Sequence, residues 1–368
     1  MKILFLTTHL NRGGISNYLL SVGAALRQKG HQIYLGSSGG DMEQEFRDKG
    51  FRLRQFSIRT KSELDPKIYW TLPKVTQWIR EENIELIHAH TRVTQVMAAW
   101  IQWLTGTPFV TTAHGFYKRR FGRRLLPAWG ERVIAISTPV GDELKDTFRV
   151  SAEKIRYIYN GIDLQDFFNQ FKKHNPLEVR QEYGISKEDW VIGVTARLVS
   201  DKGHEYLIRA AKELEKEFPN LHVLIVGDGK YRPHLENLAQ DLKLRARIHF
   251  TGNLKDVSRP LAAVDVFALP AVWREGFGLS IVEAMVCQKP VIVTNIWALN
   301  TLIQDRVNGV LVEPRSVKDL ADAIRRFLED PEFRERIGKA GQAIAWERFS
   351  LDRMAHELEK VYEEVLLG

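Results

Sequence analysis

The sequence predicts an α/β protein built from two doubly wound parallel sheets in series. Short, mostly apolar runs alternate with segments of helical periodicity, which is typical of βαβ units and a parallel sheet. The alternation starts at Ile3–Thr7, stops in a polar stretch near residues 165–175 and begins afresh at Trp190–Thr195. At 368 residues the chain is also longer than one hydrophobic core usually organises. We therefore expect domains over residues 1–163 and 164–349, and a terminal helix over residues 350–368 that packs back on the first domain.

Each predicted strand is a short, β-rich apolar run, and the predicted helices are the segments of helical periodicity between them. The strands of the first domain are Ile3–Thr7, Gln32–Leu35, Leu86–His88, Phe109–Thr112, Val133–Ile136 and Ile155–Tyr159, and its helices are Ser16–Gln28 and Pro73–Glu82. The strands of the second domain are Trp190–Thr195, Leu221–Val226, Ile248–Phe250, Val264–Leu269 and Val291–Thr294. The later helices are His204–Glu217, Pro233–Leu242, Ser280–Cys287, Asp319–Leu328, Pro331–Ile337 and Leu351–Leu367. Ligands bind at the carboxyl ends of strands in such sheets, so functional residues are expected in the loops after strands.

Composition excludes several other classes. Hydrophobic residues make up 44% of the chain and charged residues 27%, which is typical of folded domains and not of disordered or coiled-coil proteins. The single cysteine, Cys287, cannot form a disulfide within the chain. The apolar run Ile3–Leu6 is too short for a secretory signal, and no stretch reaches the roughly 18 apolar residues that span a bilayer. We expect a cytoplasmic protein whose contact with the inner face of the membrane is peripheral.

Positive charge is concentrated in the first domain. Residues 1–165 hold 24 lysines and arginines against 15 acidic residues, whereas residues 166–368 hold 29 against 31. This asymmetry predicts that the first domain meets an anion or an anionic surface. The excess is modest and no recognised module accompanies it, so nucleic-acid binding is not predicted.

Two glycine-rich turns follow predicted strands. At Gly13 and Gly14 the backbone can approach a ligand and the helix amides can meet a phosphate or sugar oxygen; a tight βα turn is the alternative. Gly227-Asp228-Gly229 is a second such turn, for which a plain turn is the alternative. Arg232 stands where a dinucleotide fingerprint needs its third glycine, so an NAD-dependent dehydrogenase is disfavoured.

Two cations follow the strand Trp190–Thr195. Arg197 and Lys202 precede a predicted helix at the carboxyl end of this buried strand. An arginine grips two phosphate oxygens at once and a lysine adds a mobile point charge, so the pair suits a diphosphate leaving group. Solvated surface charge is the alternative.

The sharpest signal is the run from Glu275 to Glu283, Glu-Gly-Phe-Gly-Leu-Ser-Ile-Val-Glu, at a strand-to-helix junction. Gly276 and Gly278 open the backbone just before the helix, so the amides of Phe277 to Ser280 are predicted to donate to an anion or a hydroxyl. Glu275 lies in the loop and Glu283 about one turn inside the helix. The two carboxylates are therefore expected to meet different parts of one elongated ligand.

Together these motifs make the sequence resemble the retaining glycosyltransferases of family 4. The matching motifs keep the family's order over nearly the whole chain. They are Arg12-Gly13-Gly14, His88-Ala-His90, His114-Gly115, Ser137, Asn160–Asp163, Arg197–Lys202, Val226–Gly229, Thr251-Gly252, Glu275–Ala284, Pro290-Val291 and Asn308-Gly309. The resemblance implies the GT-B fold, in which two Rossmann-like doubly wound parallel sheets face each other across a cleft.

The resemblance also implies roles for the matching residues. Arg197 and Lys202 would bind the donor diphosphate and stabilise the charge that develops on it. Glu275 would bind sugar hydroxyls and His114 would contact the sugar near the reaction centre, which makes these four the implied catalytic residues. The implied nucleotide-sugar-binding residues are Gly13, Gly14, Gly227, Asp228, Gly229, Leu254, Gly276, Phe277, Gly278, Leu279, Ser280 and Glu283.

The implied activity is that of a hexosyltransferase. It would move a sugar from a UDP or GDP sugar to a carbohydrate or lipid-linked acceptor, with retention, in bacterial cell-envelope polysaccharide, lipopolysaccharide or glycolipid synthesis. The chain has no Asp-x-Asp motif, and arginine with lysine can serve in a metal's place, so we predict no metal and no other cofactor. Trp297 and Thr301 stand where the family has a Gly-Gly pair and an acid, and the indole is expected to reshape the sugar pocket.

A basic and aromatic segment follows His114. Interleaved cations and aromatic rings are expected to lie on an anionic membrane or to hold a phosphorylated lipid acceptor, with a solvated loop as the alternative. The cations are Lys118, Arg119, Arg120, Arg123 and Arg124. Tyr69, Trp70 and Trp78 are interpreted as core residues, with a second membrane patch as the alternative.

His88 and His90 raise the question of a metal site. We expect the two side chains to point to opposite sides of their strand and to serve packing, so no metal ligands are assigned. Two other functions stay open: a nucleotide-sugar epimerase of the same architecture, and a catalytically silent homologue that docks on membranes.

Overall fold

The structure, a computed structural model, describes residues 1–60, 62–117, 123 and 126–368. The chain divides into two units, the first made of Met1–Ile162 with Leu351–Gly368 and the second of Asp163–Ser350. The divisions expected from the sequence lie after residues 163 and 349.

Parallel strand pairing organises the first unit. Its strands within the described residues are β1 (Lys2–Leu6), β2 (Gln32–Ser37), β3 (Arg52–Gln55), β4 (Leu86–Ala89), β5 (Phe109–Ala113), β6 (Arg132–Ala135) and β7 (Ile155–Tyr157). They form a sheet in the order β3-β2-β1-β4-β5-β6-β7, and every pair runs parallel. The direction of strand order changes between β1 and β4, which is where open α/β sheets bind ligands.

Helices cover both faces of this sheet. Those in the described residues are α1 (Gly14–Gln28), α2 (Glu43–Asp48), α3 (Pro66–Glu82), α4 (Arg92–Thr105), α5 (Thr138–Asp146) and the terminal helix α14 (Leu351–Leu367). On one face α1 and α14 pack together and bury Leu19, Leu26, Leu358 and Tyr362. On the other face α3 and α4 bury a separate cluster. The end of the chain therefore completes the core of the first unit.

Helix α3 begins seven residues before the predicted Pro73, at Pro66. The Asp65 carboxylate accepts a hydrogen bond from the Lys67 amide at 3.0 Å, and Pro66 occupies the first helical position, where its missing N–H costs nothing. The prediction was wrong because it took Pro73, which lies inside the helix, as a helix start.

The second unit repeats the parallel arrangement. Its strands in the described residues are β8 (Trp190–Thr195), β9 (Leu221–Val226), β10 (Ile248–Gly252), β11 (Val266–Leu269), β12 (Val291–Thr294) and β13 (Val310–Val312). Their order is β10-β9-β8-β11-β12-β13, again with parallel pairs. The helices are α6 (Leu164–Lys172), α7 (Pro176–Glu182), α8 (His204–Glu213), α9 (Arg232–Asp241), α10 (Ser258–Ala263), α11 (Leu279–Val286), α12 (Val317–Glu329) and α13 (Pro331–Arg348). No helix in the described part of the chain is long and apolar enough to cross a bilayer.

Several elements were not predicted from the sequence: the strands β3 and β13 and the helices α2, α4, α5, α6, α7 and α10. β3 and β13 are edge strands of four and three residues, too short for a periodic signal. Helix α6 lies in the polar stretch where the alternation of strands and helices was expected to stop, and it begins where the Asp163 carboxylate accepts a hydrogen bond from the Asp166 amide at 2.9 Å.

Candidate active site

A part-buried ion pair joins two predicted catalytic residues in the second unit. Lys202 lies in the 3-10 turn after β8, and its ammonium group contacts the carboxylate of Glu275 in the loop after β11. The side chain of Lys202 is 20% exposed and that of Glu275 is 15% exposed. β8 and β11 are neighbours, with Ile192 opposite Val266, so their loops leave the sheet side by side. The fold thus brings a cation and a carboxylate together at the carboxyl edge of the sheet.

Backbone contacts hold these two loops against each other. The Val272 amide donates a hydrogen bond to the Asp201 carbonyl at 2.9 Å. Gly203 has a φ of 70°, and a Cβ built there would lie 1.8 Å from the carbonyl oxygen of Pro270. No other residue fits this position, so the glycine permits the close approach that pairs Lys202 with Glu275.

Arg197 is exposed and lies two residues after the end of β8. Its guanidinium forms no hydrogen bond or ion pair with residues that the structure describes. The Gly227-Asp228-Gly229 turn packs on the same loop, because a Cβ at either glycine would come 2.2 Å from the carbonyl oxygen of Ala196 or Leu198. The close approach made by these two glycines is therefore to the protein's own backbone, and their contact with a nucleotide stays a prediction.

Helix α11 begins at Leu279, one residue before the predicted start at Ser280. Gly278 precedes it with a φ of 95°, and a Cβ there would lie 2.9 Å from Cδ1 of Ile281. Phe277 is buried and meets the ring of Phe349 edge-on, with centroids 5.5 Å apart. The first amides of a helix have no acceptor within the helix, and this applies to the N–H groups of Leu279 and Ser280. The buried Phe277 anchors the loop that precedes them. Gly276 donates its amide to Oε1 of Glu275 at 3.1 Å.

Glu283 is a carboxyl group without a partner among the described residues. It lies one turn inside α11, and burial raises the pKa of Glu283 to about 7. A carboxyl that is desolvated and unpaired gains from any hydroxyl donor that reaches it. This behaviour is typical of binding-site carboxyls, although structural positions also show it.

Sequence reasoning missed His204. This residue begins α8 directly after Gly203, is fully buried, and has no hydrogen-bond partner at either ring nitrogen among the described residues. Burial and the nearby charge of Lys202 lower the pKa of His204 to about 4. The ring is therefore neutral at pH 7, and it is buried next in sequence to the Lys202 loop. Its adjacency to Lys202 and Gly203 was the available signal.

Two tryptophans stand exposed on the loops after β11 and β12. Trp273 is 58% exposed and Trp297 is 52% exposed. The loops are tied together because the Thr294 hydroxyl donates to the Ala271 carbonyl. Thr301, in the place of the family's acid, donates its hydroxyl to the Ala298 carbonyl at 2.7 Å. Leu254, after β10, is also exposed.

In the first unit, Gly13 and Gly14 face open space. A Cβ built at Gly14 would meet no atom within 4 Å, and one at Gly13 only the carbonyl oxygen of Asn11 at 3.9 Å. Gly14 is the first residue of α1. The packing of the described chain therefore does not require a glycine here, in contrast to Gly203.

His114 joins a row of three histidines at the carboxyl ends of β4 and β5, which we call the histidine row: His88, His90 and His114. Nε2 of His114 lies 3.1 Å from Nδ1 of His90. The expectation that His88 and His90 point to opposite sides is wrong, since residues two apart share a face of a strand. Their ring centroids are 4.0 Å apart.

The interpretation of His88 as a packing residue is supported. Its Nδ1 pairs with the Tyr362 hydroxyl and its Nε2 with the Thr112 hydroxyl, each at 2.7 Å. Burial lowers the pKa of His114 to about 3 and the pKa values of His88 and His90 well below their ordinary range. Within the described ranges, no group of three or more His, Cys, Asp or Glu side chains is placed to hold a metal ion.

Comparison with known families covers both units. Residues 12–166 match the model described as Glycosyltransferase Family 4, and residues 177–344 match the model described as Glycosyl transferases group 1. The chain belongs to glycosyltransferase family 4. It is an enzyme, and the predicted activity class is confirmed.

Solved glycosyltransferases share the fold of this family 4 chain. A glycosyltransferase of Rickettsia africae superimposes with a TM-score of 0.90 at 23% identity, covering 99% of this chain and 98% of that one. HepE of Anabaena, solved with UDP, gives a TM-score of 0.85 at 26% identity, covering 99% and 100%. Together with the two parallel α/β sheets of this chain, these neighbours confirm the predicted GT-B fold.

A relative in sequence is the UDP-Gal:α-D-GlcNAc-diphosphoundecaprenol α-1,3-galactosyltransferase of Escherichia coli. It is 29% identical over 267 residues, which cover 68% of this chain and 68% of the relative.

The expected basic surface of this glycosyltransferase needs one correction. Lys118, Arg119, Arg120 and Arg124 lie outside the described residues. Arg123 is buried, and its guanidinium stacks 3.8 Å from the ring centroid of Tyr117 and 5.5 Å from that of Trp129. A cation enclosed by aromatic rings is not available to a membrane surface, so Arg123 is removed from that prediction.

The glycine analysis predicts opposite results at two positions. Gly203→Ala should destabilise the second unit by about 2 kcal/mol or more, because a Cβ in left-handed backbone meets the Pro270 carbonyl, and should lower the Tm by roughly 4 to 8 °C. Gly14→Ala, the matched control, should leave the Tm unchanged. Differential scanning calorimetry measures both, and an unaltered Tm for Gly203→Ala would contradict the close approach.

The environment of Glu283 predicts a pH-dependent effect of Glu283→Gln. A carboxyl whose pKa is raised from 4.5 to about 7 stabilises the fold only while protonated, so its contribution is lost as pH rises through about 7. The variant and wild type should have similar Tm values near pH 5, and the variant should be more stable above pH 7. The exposed Glu313→Gln is the control and should show no such trend. A constant difference between variant and wild type would refute the assignment.

Proposed function

We propose that the protein is a retaining hexosyltransferase that moves a sugar from a uridine diphosphate sugar to a lipid-linked carbohydrate acceptor. The ion pair between Lys202 and Glu275 carries the proposal. It combines a cation suited to phosphate with a carboxylate suited to sugar hydroxyls, four residues before the start of α11. Those are the two halves of a glycosyl phosphate.

Lys202 changes partner when the donor binds. In the free protein Glu275 neutralises the ammonium group. A diphosphate carries more negative charge than one carboxylate and competes for the lysine, which leaves Glu275 to accept hydrogen bonds from sugar hydroxyls. Arg197, which is exposed and precedes Lys202 in the same loop, binds further phosphate oxygens. The donor thus separates an existing pair and uses both members.

The bond between the anomeric carbon and the diphosphate oxygen then breaks, and its electron pair goes to that oxygen. The acceptor hydroxyl forms the new bond from the same face, and its proton passes to the departing phosphate oxygen. This displacement retains configuration and needs no nucleophile from the protein. Arg197 and Lys202 stabilise the charge on the leaving oxygen, so the proposal includes no metal ion and no other cofactor.

The substrate classes follow from the relatives. HepE was solved with UDP, and the printed name of the Escherichia coli enzyme includes UDP-Gal, which supports a uridine nucleotide. The acceptor in that name is a sugar on diphosphoundecaprenol, a lipid carrier. We therefore extend the proposal to the assembly of cell-envelope polysaccharide or lipopolysaccharide.

Contact with the membrane is supported by an exposed aromatic surface on α3 and α4, which we call the tryptophan surface: Trp70, Trp100, Trp103 and Leu104. Trp70 and Trp103 are each 76% exposed, and the rings of Trp100 and Trp103 lie 6.0 Å apart. The exposed face of α3 also carries Lys67, Lys74 and Arg80. Aromatic side chains beside lysine and arginine suit the interface of an anionic bilayer. Trp70 is thus not a core residue, whereas Trp78 is buried.

The donor site is tested by a thermal-shift panel of UDP, GDP and ADP. A ligand bound only by the native state must raise the Tm, so UDP should give an increase of several degrees at about 100 times its Kd. Arg197→Ala should keep the wild-type Tm without ligand and lose most of the UDP shift and of the transfer to lipid-linked acceptors. Arg245→Ala, an exposed arginine before β10, is the matched control and should retain both.

Three results would contradict the proposal. A shift or a transfer rate that disappears in EDTA would refute metal independence, and a shift with GDP alone would refute the donor class. A β-linked product from an α-linked donor, read by NMR, would refute retention. Release of an epimerised sugar nucleotide without acceptor would favour the epimerase.

The tryptophan surface predicts binding to anionic vesicles. Trp70→Ser with Trp103→Ser should weaken co-sedimentation with phosphatidylglycerol vesicles by about tenfold or more, because each variant removes an exposed indole. Binding should also fall with added salt. Trp273→Ser, an exposed tryptophan of the second unit, is the control. Equal binding of the double variant and wild type would exclude this surface.

A further inference from the structure

The histidine row leaves one ring nitrogen of His114 for a ligand. Nε2 of His114 is occupied by Nδ1 of His90 at 3.1 Å, and the ring of Tyr18 meets that of His114 edge-on, 4.6 Å between centroids. Nδ1 of His114 has no partner among the described residues, and the side chain is only partly buried. A substrate can therefore meet His114 at Nδ1.

We propose that His90 is a positioning residue for His114. It holds the His114 ring in the tautomer whose proton is on Nδ1, so that His114 offers an N–H donor to an oxygen of the glycosyl substrate. This inference rests on the proposed function and on the role that the family resemblance implies for His114, a contact with the sugar near the reaction centre.

The unpaired nitrogen of His90 decides which ring donates. Nε2 of His90 is buried and has no partner in the part of the chain that the structure describes. If His114 donated from Nε2, the single proton of His90 would lie on its own Nε2, as a buried donor without an acceptor. Orphaned buried N–H groups are rarer in proteins than orphaned acceptors. His90 therefore donates from Nδ1, Nε2 of His114 accepts, and the proton of His114 lies on Nδ1.

This argument requires both rings to be neutral, and burial makes them so. The pKa of His114 is lowered to about 3, and the pKa of His90 is lowered well below its ordinary range by burial and by the two neighbouring histidines. At neutral pH each ring thus carries one proton, and one hydrogen bond between them fixes both tautomers.

The packing behind His90 fixes its orientation. The ring of Phe5 meets His90 edge-on at 5.2 Å, and His88 lies against the other side with centroids 4.0 Å apart. His88 is itself held by the hydroxyls of Tyr362 and Thr112. The terminal helix α14 therefore supports His90 through His88.

The tautomer is measured directly on the wild-type enzyme by nitrogen-15 NMR with labelled histidine. The His114 signals, assigned by their loss in His114→Ala, should show a protonated Nδ1 and an unprotonated Nε2 at neutral pH. Protonation at Nε2, or averaging between the two tautomers, would overturn the proposal without any variant of His90.

Kinetics separate positioning from packing. His90→Leu should lower kcat about 10- to 100-fold with a smaller change in the donor KM, as loss of an orienting partner does at other sites. His90→Asn keeps a polar atom close to the place of Nδ1 and should recover much of the rate. Tyr34→Phe removes a tyrosine hydroxyl of the same sheet, which donates to Glu82 at 3.0 Å and touches none of the histidine row, so its kcat should stay near that of the wild type.

The failure of this inference is distinguishable from that of the proposed function. Full transfer by His114→Ala would remove His114 from the reaction and overturn this inference, while the proposed sugar transfer would stand. An inactive His114→Ala together with a fully active, folded His90→Leu would refute only the positioning role of His90.

Discussion

Parallel pairing of the strands is the constraint on which the candidate site depends. Successive parallel strands need a crossover of a dozen or more residues, usually a helix, so the loops that follow the strands leave a sheet at one edge. Lys202 and Glu275 are 73 residues apart in sequence and meet because β8 and β11 are neighbours in the second sheet. In the first sheet the same constraint brings His90, after β4, to His114, after β5. Contacts in both units are thus consequences of strand order.

In the free protein the cost of holding Lys202, Glu275 and Glu283 partly out of water is reduced in two ways. A lone ammonium or carboxylate held partly out of water is costly, and the cost falls when the two pair. Lys202 and Glu275 satisfy each other, whereas Glu283 reduces the same cost by binding a proton, as its raised pKa shows. Neither arrangement is permanent. A ligand that brings phosphate oxygens and hydroxyl groups can replace a salt bridge in one case and a proton in the other.

The sequence predicted the parallel sheets, the start of α11 to within one residue, and the positions of Lys202 and Glu275 in loops that follow strands. These depend on local apolar periodicity and on glycine and cap signals, which neighbouring residues determine. The ion pair of Lys202 with Glu275 was not predicted as a contact, because it depends on which strands become neighbours.

Arg123 shows a different limit. A cation among aromatic residues fits a membrane loop and an enclosed cation–π contact equally well, and only burial distinguishes them. The error over His88 and His90 had another origin, since residues two apart on a strand share a face and the sequence already contained that information. His204 was missed because a buried neutral imidazole has no local pattern of its own.

The space around each glycine shows whether the fold itself requires a glycine at that position. At Gly203, Gly227 and Gly229 a side chain would collide with a backbone carbonyl of the same unit, so the fold alone explains the residue. At Gly14 the space is empty, so packing in the described first unit does not explain the glycine. A ligand whose approach needs the bare backbone would explain it, and a loop at the carboxyl end of β1, beside the change in strand order, is where such a ligand binds in sheets of this kind.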